Sequence, residues 1–167
     1  MVKKPELEDN LKVFTEEIIR TFSDYYIGPK VQKAIAMFRK ERNLLYIDKT
    51  DNVFKAVIKS QSQPNVYEYA CTLRSDGSYF CSSQNLYRCG GLRGGICKHI
   101  ILSLIAIIKQ GNSTSKELIG WIRNSLFKKA VLDKAEATAI FLKYKNALEG
   151  KIEWRPVEIY PEDLIAF

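Results

Sequence analysis

A chain of 167 residues, 46% apolar and 27% charged, can bury the core of one domain, and this composition argues against wholesale disorder. The formal charge of +7 is unevenly spread: residues 1–27 carry −2, 28–64 +5, 65–111 +3, 112–150 +3 and 151–167 −2. A basic middle between acidic ends suits a polyanionic partner, the alternative being a lysine-rich solvated surface.

Residues 6–27 have the spacing of a first helix, with Leu11, Phe14, Ile18, Ile19 and Phe22 recurring on one side. Gly28-Pro29 interrupts it, and Pro29 suits the first turn of a second helix from Lys30 to Arg42. There Val31, Ala34, Ile35 and Phe38 form the apolar stripe, while Lys30, Lys33, Arg39 and Lys40 lie largely off it. This is either an ordinary solvated helix or one that faces phosphates. Strands are expected over residues 43–82: Leu44 to Ile47, then Val53 to Ser60 with Phe54, Ala56 and Ile58 opposite Lys55 and Lys59. A third carries Tyr67, Tyr69, Cys71 and Leu73 on one face, and Tyr79-Phe80-Cys81 returns after the turn Ser75-Asp76-Gly77-Ser78, whose Asp-Gly pair tolerates positive φ.

Residues 82–96, with two Gly-Gly pairs, read as a loop. Helix 97–110 is apolar nearly all round and must be buried, with Gly111 as its C′ residue. Thr114-x-x-Glu117 is a capping box for a helix through about Val131, burying Leu118, Trp121, Ile122, Leu126 and Phe127. Asp133-x-x-Glu136 opens the last helix, with Ala137, Ile140, Phe141 and Tyr144 inward and Gly150 at its close. The tail after Trp154 holds two prolines and is expected to be extended. The fold class is therefore α+β: a small antiparallel sheet with a strand–strand–helix finger, flanked by N-terminal and C-terminal helices.

Met1 to Glu6 leads into acidic residues without an apolar core, so no signal peptide is expected. The apolar run Ile100 to Ile108 is far shorter than the about 20 residues that cross a bilayer. The expectation is a soluble intracellular protein, cytoplasmic or nuclear, with no membrane partner. In a reducing compartment, cysteines clustered beside a histidine point to metal rather than disulfides.

Chemistry concentrates in Cys81-x7-Cys89-x7-Cys97-x-His99, where His99 is the one imidazole of the chain. Three sulfurs and a nitrogen, carried by a hairpin end, a loop and a helix start, complete the tetrahedral shell of a closed structural Zn²⁺ site. Such a shell leaves no position for water or substrate. A helix N-terminus favours the thiolate of Cys97, and the glycines allow the turns that return Cys89 towards Cys81 and Cys97. Cys71, on a strand face with Tyr67, Tyr69 and Leu73, reads as a core cysteine. The alternative is a set of buried thiols with a satisfied histidine. No C-x-x-C is present to support thiol redox chemistry.

In Cys97-Lys98-His99-Ile100 and the strands Val57 to Ser62 and Tyr67 to Leu73, the chain resembles the SWIM zinc-finger domain. That family has C-x-C, a variable loop and C-x-H on a strand–strand–helix frame. The resemblance covers residues 28–110, and the basic stretch 30–42 matches the family's upstream region. It departs at Cys81-Ser82-Ser83, where serine stands in place of the second cysteine. Cys81, Cys97 and His99 carry over from the motif, and Cys89 replaces the missing ligand on chemistry alone.

The resemblance implies binding to DNA or protein, and no catalysis. The chain itself lacks a Walker loop and a G-x-S-x-G, and Gly90 to Gly95 has no G-K-[ST]. The expectation is a non-enzymatic zinc module with no small-molecule substrate. It would bind nucleic acid, DNA before RNA, through Arg88, Arg93 and Lys98 with Lys33 and Lys40, and further support from Lys30 and Arg39. Tyr87 either stacks on a base or packs under the loop. The alternative is a protein-interaction adaptor using the extra helices and the tail residues Trp154, Tyr160 and Phe167. The expected organisation is an N-terminal helix (1–27), the finger domain (28–111), a helical extension (112–150) and an acidic, aromatic tail (151–167).

Overall fold

The computed structural model describes residues 4–21, 27–41 and 43–151. In chain order it holds α1 (Lys4–Thr21), α2 (Ile27–Ala36), β1 (Leu44–Lys49), β2 (Val53–Lys59), β3 (Glu68–Arg74), β4 (Tyr79–Ser83), α3 (Lys98–Lys109), α4 (Ser115–Ser125) and α5 (Lys134–Lys151). The four strands form an antiparallel meander in the order β1-β2-β3-β4. The α+β class and the small open sheet are as the residue pattern predicts.

The period-2 alternation of β2 to β4 sends side chains to two different cores. Phe54, Ala56 and Ile58 of β2, Cys71 and Leu73 of β3, and Tyr79 and Cys81 of β4 face a core shared with α1 to α4. Val57, Ala70 and Phe80 face Ala137, Ile140, Phe141 and Tyr144 of α5 on the other side. Glu136 fastens α5 to that face, its carboxylate 2.6 Å from Arg74 and 3.9 Å from Lys55. The sheet is thus covered on both faces, with Lys55 of β2 drawn into an ion pair.

α3 is the central element, and every residue from His99 to Ile108 is buried. Seven of these are large aliphatics, worth roughly 10–20 kcal/mol of gross transfer free energy. A helix that is apolar all round finds cover in the sheet, α1 and α2 together. Gly111, at φ +72°, turns the chain out of it. The cap of α4 forms as its sequence predicts: the Thr114 hydroxyl accepts from the Glu117 backbone N–H at 3.2 Å. The Glu117 carboxylate instead accepts from Ser113 and Lys49, so the reciprocal half of the capping box is replaced by a link to β1.

Four expectations are corrected. Ile19 is exposed, so the buried side of α1 narrows to Leu11, Phe14 and Ile18. The second helix begins earlier, at Ile27, and its last turn, Met37–Glu41, widens to π geometry. α4 stops at Ser125, because the chain then crosses the sheet edge to reach the far face. There the Val131 N–H donates to Tyr79 O at 3.3 Å, and the Tyr79 hydroxyl donates to Lys128 O at 3.4 Å. Phe127 is consequently 89% exposed instead of buried. Gly150 does not close α5, which runs to Lys151. Phe22 and the expected tail with Trp154, Tyr160 and Phe167 lie outside the described residues.

Candidate metal centre

Local structure delivers four donors to one point. Cys81 projects from β4 into the larger core, and the Cys89 N–H donates to Cys81 O at 2.9 Å, laying the returning loop beside the strand. Residues Gly90–Leu92 then form a 3₁₀ turn. Gly91 allows a close approach there: a Cβ would sit a tight 3.1 Å from Cys97 Cβ and in ordinary contact, 3.6 Å, with Cys89 Sγ. Its N–H donates to Cys89 Sγ at 3.4 Å. Cys97 is the N-cap of α3, and His99 lies in that helix's first turn.

The donor atoms of Cys81, Cys89, Cys97 and His99 all lie within 4.8 Å of one another, and all four residues are buried. His99 Nδ1 is 3.6 Å from Cys81 Sγ and 3.5 Å from Cys89 Sγ. Burial holds the Cys81 and Cys97 thiols well above their ordinary range. Hydrogen bonds from the Cys81 and Cys97 thiols, aided by His99, hold Cys89 well below it. Burial therefore opposes three thiolates at once, and a cation centred among them offsets that penalty. The cluster can hold a metal ion, and its donor set is soft.

Two residues around the donors have partners that the sequence pattern does not reveal. Tyr69 stacks on the His99 ring, with centroids 4.3 Å apart and planes 17° from parallel. Its period-2 position beside Cys71 placed it on this face, but the stacking partner comes from α3. Lys30 of α2 donates to Arg93 O at 3.3 Å and Ile96 O at 3.1 Å, so it fastens the loop between β4 and α3 that carries Cys89 (the metal loop) instead of facing phosphates. Burial lowers the Lys30 pKa, with the nearby Cys97 and Cys89 acting in the opposite direction.

Cys71 pairs with Cys81 across β3 and β4, yet its Sγ contacts Ser103 Oγ at 3.4 Å. Burial pushes its thiol up to about 12. It lies outside the four-donor cluster. Among the expected phosphate contacts, Arg88 and Arg93 are exposed on the metal loop and Lys33 is exposed on α2. Lys98 is half-buried and donates to Gln61 Oε1 at 2.9 Å. The side chain of Lys40 is outside the described residues. Arg88 and Arg93 line a groove with Lys128 and Lys129 rather than with Lys33 or Lys98.

No protein-family model, curated protein or solved structure matches the chain. No helix among the described residues is long and apolar enough to cross a membrane.

Proposed function

We propose that the chain is a zinc-stapled, non-enzymatic module that binds nucleic acid through the basic surface around its metal loop. The observation that carries the zinc reading is the convergence of Cys81, Cys89, Cys97 and His99 in one buried cluster. Tetrahedral zinc, with Zn–S near 2.3 Å and Zn–N near 2.0–2.1 Å, sets a sulfur and a nitrogen about 3.5 Å apart. The Cys81 and Cys89 sulfurs stand 3.6 and 3.5 Å from His99 Nδ1. Four protein donors fill that shell, which favours a structural role over catalysis. The β3–β4–loop–α3 order, with the donors on β4, the loop and the start of α3, supports the SWIM-type resemblance, with Cys89 in place of the cysteine the motif lacks.

The nucleic-acid part rests on the exposed Arg88 and Arg93 and on the +7 charge of the chain. Its test is retention of the purified protein on heparin and DNA resins as salt rises. Phosphate contacts weaken steeply with salt, and elution at the same point as an uncharged-resin control would refute this part. A second reading, a protein-interaction adaptor, is favoured by the exposed Phe127, Val131 and Leu142 of the C-terminal helical region. Under that reading, a partner co-purifies with the parent and is lost with Phe127→Ser, while nucleic-acid retention is absent.

A further inference from the structure

A groove of about 410 Å³ runs between the metal loop and the segment that follows α4. Arg88 and Arg93 line one wall and Lys128 and Lys129 the other, with Tyr79 and Leu126 among the remaining lining residues. No acidic residue among those described lines it. Asp76 holds Lys128 at 3.4 Å, whereas Arg88, Arg93 and Lys129 make no ion pair among the described residues. Three unpaired cations thus converge on one concavity from segments some 40 positions apart in the chain. Such convergence raises the local positive potential well above that of dispersed surface lysines.

Two exposed aromatics stand next in the chain to these cations. Tyr87, beside Arg88, is 74% exposed, and Phe127, beside Lys128, is 89% exposed. Neither packs under its own segment. Cations that follow a phosphate chain, with flanking aromatic faces on which bases stack, are the elements of single-strand recognition. The volume, about 410 Å³, is enough for a nucleotide or two, and the single-strand class follows from the flanking aromatics, because only unpaired bases can stack on them.

We propose that this groove binds single-stranded nucleic acid, with Arg88, Arg93 and Lys129 on phosphates and Tyr87 and Phe127 stacking on flanking bases. The proposal rests on the nucleic-acid reading above and adds the surface and the strand class. The groove's walls are positioned by the metal loop on one side and by the Tyr79 bond to Lys128 O on the other.

The test is fluorescence anisotropy of the full chain with labelled 12-nucleotide oligo(dT), the same oligonucleotide annealed to oligo(dA), and oligo(U). Both single strands bind at least tenfold tighter than the duplex, and the ratio of oligo(dT) to oligo(U) affinity assigns the sugar preference. In the variant R88Q/R93Q/K129Q, the slope of log K against log salt falls by about 2, from about 0.7 per phosphate contact on a single strand. Tyr87→Ala and Phe127→Ala each weaken oligo(dT) binding about tenfold with the slope unchanged. Unaltered metal content and far-UV circular dichroism establish that each variant is folded. Lys129→Gln and Phe127→Ala, remote from the metal donors, serve if the triple variant is not. Tighter duplex binding, equal binding of poly-glutamate, or variants that bind as the parent does overturn the groove. If Lys33→Gln and Lys98→Gln lose binding instead, the groove is wrong and the nucleic-acid reading stands. If the parent binds none of the three oligonucleotides at low salt, both fall.

Discussion

Lys30→Met removes the α2 ammonium that bonds the metal loop while keeping an unbranched side chain of similar length. The structure gives Lys30 two backbone acceptors, Arg93 O and Ile96 O, on the segment leading into Cys97. A hydrogen bond involving a charged group contributes about 1.5–3 kcal/mol when well buried. Lys30 is half-buried and burial already lowers its pKa, so solvent screening reduces the pair to about 1–2 kcal/mol in total. On the zinc reading, three thiolates leave the centre near −1, and Lys30 is the cation that Cys97 and Cys89 act upon. Outer-sphere partners of a metal site typically contribute about 10–100-fold in affinity. The lower end applies here, because Lys30 bonds to the loop backbone and not to a ligand. The expected outcome is a drop of about 1–2 kcal/mol in urea denaturation and about tenfold faster zinc loss to a chelator. Lys30→Arg should recover part of both. A Lys30→Met protein with parental stability and parental zinc retention would refute the reasoning.

Gly77 stands at φ +90°, where an added Cβ would lie 2.2 Å from the Asn124 carbonyl carbon. Gly77→Ala therefore combines left-handed strain with a backbone clash and should destabilise by about 3 kcal/mol, read as a fall in the urea midpoint. Cys71 carries a pH signature because its folded pKa, about 12, exceeds its unfolded one near 9. Above pH 9 the unfolded chain loses this proton first, so stability declines with pH up to about 12. The slope from this group is about 1.4 kcal/mol per pH unit. Cys71→Ser should remove that slope from urea titrations at pH 9–11, and an unchanged slope would contradict the assignment.

Much of the fold was legible because local rules and tertiary packing agree. Phe54, Ala56 and Ile58 alternate with lysines, Asp76-Gly77 marks the hairpin, and Ile100 to Ile108 is apolar on every side, so β2, the turn and α3 follow directly. The Cys/His cluster was legible from donor chemistry, since the sequence offers one histidine and three cysteines at even spacing near it. What was hidden depends on partners distant in the chain. The end of α4 is set by Tyr79 and the sheet edge, so continued helical spacing through Phe127 misled. Lys30 has the spacing of a solvated lysine, yet its acceptors lie 63 and 66 residues away. The groove joins Arg88 and Arg93 to Lys128 and Lys129, a neighbourhood created by the crossover to α5.

Zinc X-ray absorption on protein purified without added metal, paired with elemental analysis, tests the metal assignment most directly. The account predicts about one zinc per chain with three sulfurs near 2.3 Å and one nitrogen near 2.0–2.1 Å. That shell should persist in Cys71→Ser and be lost in Cys89→Ser. A four-sulfur shell, a shell that survives Cys89→Ser but not Cys71→Ser, or metal-free protein with three freely titrating native thiols would contradict it.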